Sequence, residues 1–76
     1  MPRISQISWK EFEKFLKFLG CSFLREKGDH RIWGRDGLQR PIVIPRSRSI
    51  PVFVIRNNLR LLNISVDEYL EIIARI

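Results

Sequence analysis

Apolar residues recur along the chain in two rhythms. Trp9, Phe12, Leu16 and Leu19 fall at i, i+3, i+7 and i+10, with Lys10, Glu13, Lys14 and Lys17 away from that stripe, the pattern of a helix with one buried side. Ser8-Trp9-Lys10-Glu11 ahead of it reads as a capping box, and Gly20 stands where a left-handed C-terminal cap is wanted, so a first helix is predicted over about residues 8 to 19. Residues 21 to 26 then alternate weakly around Phe23 and Leu24, Lys27-Gly28 interrupts them, and residues 29 to 34 bring Ile32 and Trp33. Two adjacent strands follow from this. Asp36-Gly37 is a dipeptide favoured in tight hairpin turns, where both central residues must tolerate positive φ. The β-branched run Pro41-Ile42-Val43-Ile44-Pro45 beyond it predicts a short third strand, paired with the second and lying at an edge because proline removes ladder donors.

The helical rhythm returns after the polar stretch Arg46 to Ser49. Pro51 suits a first turn, Val52, Ile55, Leu59 and Leu62 form the second stripe, and Asn63 caps its end. Ser65-Val66-Asp67-Glu68 is another capping box, leading into a short helix with Val66, Tyr69, Leu70 and Ile73 on its apolar side. The predicted order is α-β-β-β-α-α. Its natural solution is an α+β sandwich in which a three-stranded antiparallel sheet carries the helices on one face, the arrangement of double-stranded-RNA-binding domains. Other arrangements of the same elements stay open at this point.

At 76 residues the chain has room for a single domain over residues 1–76. No run of about 18 apolar residues could cross a bilayer, and no membrane partner is expected. The opening Met1-Pro2-Arg3 segment lacks the apolar stretch of a secretory signal, so the expected location is cytoplasmic. One cysteine, Cys21, and one histidine, His30, rule out an internal disulfide and a zinc site of the usual spacing, and no cofactor is expected.

Charge changes the picture more than size does. The formal net charge is +6, and the whole excess lies between Leu24 and Arg60. There Arg25, Lys27, Arg31, Arg35, Arg40, Arg46, Arg48, Arg56 and Arg60 face only Glu26, Asp29 and Asp36. All but one of those cations are arginine, whose planar fork suits phosphate, so a polyanionic partner is expected.

Within that segment the chemistry converges on His30. Imidazole is the side chain that ordinarily titrates near neutrality, and RNA cleavage by its own 2′-hydroxyl needs a proton carrier among cations. His30 between Lys27 and Arg31 fits, although a lone histidine is more often an ordinary strand residue. Arg46 and Arg48 beside a helix start form either a phosphate site or a merely solvated loop, and Arg56 and Arg60, four apart, share one helix side. Trp9 belongs to a core stripe. Trp33 points opposite to Ile32, and an exposed Trp33 would suit stacking on a base or a protein partner.

Gly28-Asp29-His30-Arg31-Ile32-Trp33, the Asp36-Gly37 turn, Pro41 to Pro45 and the Val52 to Ser65 stretch ending in Leu61-Leu62-Asn63-Ile64-Ser65 resemble the HicA family of toxins, also described as YcfA-like mRNA interferases. The resemblance implies a metal-independent endoribonuclease that cleaves mRNA, with His30 as the catalytic residue; the charge pattern then makes Lys27, Arg31, Arg46, Arg48 and Arg56 the candidate RNA-binding residues. It further implies a HicB-type antitoxin encoded nearby and leaves a homo-oligomer possible. The sequence departs from the family pattern in three places. Asp29 replaces the usual serine before the histidine, a histidine after the third strand gives way to Pro45-Arg46, and Pro51-Val52-Phe53 replaces a Gly-Thr-Leu entry to the next helix. A non-catalytic RNA-binding module using the same basic surface is the alternative, since duplex RNA can be recognised by shape without an acid or base.

Overall fold

A computed structural model of the protein describes residues 3–76. The elements are α1 (Trp9–Phe18), β1 (Ser22–Lys27), β2 (His30–Gly34), β3 (Ile42–Pro45), α2 (Val52–Leu62) and α3 (Val66–Arg75), in the order the apolar rhythms predict. The strands form one antiparallel sheet in the order β1-β2-β3.

Local chemistry sets the element ends. The Ser8 hydroxyl accepts the Glu11 N–H, but the Glu11 carboxylate takes the Ser8 hydroxyl and not its backbone N–H, so the first predicted capping box forms only in half. The second is complete, with Ser65 and Glu68 each taking the other's backbone N–H. Helix α1 stops at Gly20, whose φ of 85° lets the Cys21 and Gly20 N–H groups return to the carbonyls of Leu16 and Lys17. Asn63 ends α2 in the same left-handed conformation, as predicted.

The two hairpins differ. Gly28 and Asp29 make a two-residue turn in which only Gly28 has positive φ. Asp36-Gly37 does mark the β2–β3 reversal, but within a longer connection where Leu38 donates to the Arg35 carbonyl. Positive φ is adopted there by Gly37 alone, so the expectation that both central residues adopt it does not hold.

The core has Phe12, Phe15 and Leu16 from α1, Trp33 from β2, Ile42 and Ile44 from β3, Ile55, Leu59 and Leu62 from α2, and Tyr69 from α3. All three helices therefore cover one face of the sheet, the face of Trp33, Ile42 and Ile44. Along the β3 edge, the buried Asn58 side chain of α2 donates to the Val43 carbonyl at 3.3 Å, and β1 forms the other edge with all six residues exposed. Trp9 is half-buried at the rim of this core.

Tyr69 lies edge-on to Phe15, with its hydroxyl buried and without a hydrogen-bond partner among the described residues. Burial, with a smaller contribution from nearby Glu11, pushes its phenol up to about 12. Because the folded value lies above the ordinary one of about 10, the stability it contributes is complete below about pH 10 and is lost as pH rises through about 12. A Tyr69→Phe variant should keep its melting temperature at neutral pH and lose less stability than the parent between those limits, as read by circular dichroism melts across that range.

Candidate active site

Strand alternation divides β2 between two environments. Arg31 and Trp33 point to the helix side, while His30, Ile32 and Gly34 occupy the face that carries no helix. On the helix side the carboxylate of Glu13, from α1, accepts the Trp33 indole N–H at 2.7 Å and both the Nε and an Nη of Arg31. Arg31 reaches Glu26 of β1 as well, at 3.1 Å, and its guanidinium packs over the rings of Trp9 and Phe23. The hydrogen bonds to Glu13 push the Arg31 guanidinium above its ordinary pKa and so favour its charged form.

This arrangement places two of the residues singled out in the sequence on the helix side. Trp33 is only 2% exposed and belongs to the core, so it offers no stacking platform. Arg31, expected among the RNA-binding cations, is already held between two carboxylates on the helix side. Arg46 turns the same way, 3.5 Å from Glu26 and over the Trp9 ring.

His30 stands in different surroundings. It opens β2 directly after the Gly28-Asp29 turn, is exposed, and has Lys27 of β1 and Pro45 of β3 as its cross-strand partners. The turn is tied down because the Asp29 carbonyl accepts the Arg46 N–H at 2.7 Å. An open groove of about 440 Å³ runs past His30, lined by Lys27, Gly28, Asp29, Ile32 and Val43. Of the predicted cations only Lys27 shares it. Arg48 lies exposed in the Ser47–Ser49 turn and Arg56 on the outer side of α2, neither of them lining the groove.

An exposed imidazole beside an ammonium on an apolar floor of Ile32 and Val43 can move a proton while the cation stabilises developing negative charge. The residue most easily missed in the sequence is Glu13. It lies four residues after Trp9 and three before Leu16, so helical spacing puts it on the buried stripe, yet its charge reads as solvated.

A comparison with known families matches residues 9–64 to the family described as the HicA toxin of bacterial toxin-antitoxin systems. No curated protein and no solved structure matches the chain.

The Glu13 clamp generates a stability test. Glu13→Ala leaves the buried Trp33 N–H without an acceptor, which costs about 1–3 kcal/mol and, at about 4–8 °C per kcal/mol for so small a domain, lowers the melting temperature correspondingly. Glu13→Gln retains a carbonyl acceptor and should lose less. Equal melting temperatures for all three proteins in thermal denaturation would remove the clamp from the account.

Proposed function

The chain belongs to the HicA family of bacterial toxin-antitoxin toxins, and from that membership we propose that it is an endoribonuclease that cuts mRNA, with His30 as its general acid or base. The observation that carries the reading is the exposure of the chain's one histidine beside Lys27, on the sheet face that no helix covers. In the proposed reaction the 2′-oxygen attacks the adjacent phosphorus, the bond to the 5′-oxygen breaks, and a cyclic phosphate and a 5′-hydroxyl result. His30 carries one of the two protons involved, taking it from the 2′-hydroxyl or delivering it to the leaving oxygen. Lys27 stabilises charge on the pentacoordinate phosphorus. No metal takes part in this scheme.

Family membership implies a cognate antitoxin. In this reading the antitoxin is of the HicB type and covers the His30 groove, which denies RNA its access. Arg48 and Arg56 contribute longer-range attraction for the polyanion, since exposed cations raise encounter rates without specifying sequence.

Function and folding separate at His30, because an exposed side chain outside the core can be removed without opening a cavity. His30→Ala should retain its circular dichroism spectrum and most of its RNA affinity while losing about 10²–10⁴ in cleavage rate, together with the growth arrest produced on expression. A folded variant that cleaves at the parental rate would exclude His30 as the proton carrier. A parent protein that binds RNA and never cuts it would favour the non-catalytic module, and the Asp29→Ser reversion would then show whether that departure is responsible.

A further inference from the structure

The helix-free face carries a second groove at its other end, of about 650 Å³, whose walls include Leu24, Arg25, Gly34, Arg35, Asp36 and Arg40. Three guanidinium groups thus meet a single carboxylate. Among the described residues none of these arginines forms an ion pair, in contrast to Arg31 and Arg46 on the helix side. Arg35 is anchored by a hydrogen bond of 3.0 Å from one Nη to the Leu19 carbonyl at the end of α1, which fixes its position and leaves its remaining N–H groups unused.

Register places this groove on the same face as His30. Lys27 pairs with His30 and Arg25 with Ile32, while the irregularity between Phe23 and Arg25 inserts Leu24. Leu24 lies flat over Gly34, where an added Cβ would come within 2.8 Å of its Cδ1, so the glycine leaves room for an apolar floor beside the arginines. From His30 to Gly34 is four strand steps, about 13 Å, a distance that a few nucleotides span.

We infer that this arginine groove is a second RNA subsite, which holds phosphates of the strand flanking the bond cleaved beside His30. The inference rests on the ribonuclease reading and deepens it. A single strand is the ligand the face accommodates best: guanidinium forks match phosphate oxygens, the Leu24 floor accepts a ribose or base, and the strand continues across Ile32 to the His30 groove.

The test measures binding of a short fluorescein-labelled single-stranded RNA by anisotropy, in a His30→Ala background so that the probe survives, while cleavage by the parent is assayed separately. Arg25→Ala/Arg40→Ala should weaken binding about tenfold and lower the slope of log affinity against log salt by about 1.4, the share of two phosphates on a single strand. Lys14→Ala/Lys17→Ala removes the same charge from the exposed side of α1 and should change binding far less. Equal losses in the two pairs would reduce the effect to net charge, and no loss in the arginine pair would eliminate the subsite. Unchanged RNA affinity with lost capture of the antitoxin encoded beside the chain would assign the groove to the protein partner and overturn the inference. If the parent fails to cleave while arginine-dependent binding persists, the catalytic reading falls and the subsite stands.

Discussion

The Glu13 carboxylate is the contact on which the rest of the site depends. It is 9% exposed, and it satisfies a buried indole N–H and a guanidinium at the same time, joining the middle of α1 to the middle of β2. A strand has a period of two, so holding Arg31 and Trp33 toward the helices forces His30, Ile32 and Gly34 to the other side. A slip of one residue would bring His30 under the helices and expose Trp33. Specificity of register is therefore the contribution that a buried polar group makes here, since a hydrophobic residue at position 13 would pack against Trp33 without selecting Arg31.

The same division sorts the cations. Read along the chain, the cations between Leu24 and Arg60 form one basic block, yet in three dimensions Arg48, Arg56 and Arg60 lie away from the sheet grooves and the sheet divides the other six between its two faces. Arg31 and Arg46 are occupied by Glu13 and Glu26 and by aromatic rings, and serve to join α1 to the sheet. Arg25, Lys27, Arg35 and Arg40 border the two grooves of the helix-free face. The charge a bound strand would meet directly is this second set, and the net charge of +6 overstates it, the other exposed cations acting only at longer range.

Much of the architecture was legible in the pattern of residues. The stripes of α1 and α2, the caps at Gly20 and Asn63 and the second capping box are local devices, and each operates within a few residues of sequence. What escaped depends on partners distant along the chain. Glu13 sits at a buried spacing, but its acceptor role requires Arg31 and Trp33, eighteen and twenty residues away. Strand alternation puts Trp33 opposite Ile32 in the sequence as in the fold, and what it leaves open is which of those faces the helices cover. Only the core shows that, because Ile42 and Ile44 share the side of Trp33. The exposure of His30 is the consequence, so the sequence names the candidate residue while only the fold shows its accessibility.

On the proposed reading, RNA engages the helix-free face and leaves the helical layer untouched. An NMR titration of the isotopically labelled protein with a short RNA carrying a 2′-deoxy substitution at the scissile position tests it most directly, since the substitution removes the attacking hydroxyl and preserves the complex. Amide shifts should concentrate in Lys27 to Ile32, around Val43 and at Arg25, with α3 and the outer side of α1 unperturbed. Perturbations centred on α1 or α3, with His30 and Lys27 unmoved, would contradict the account.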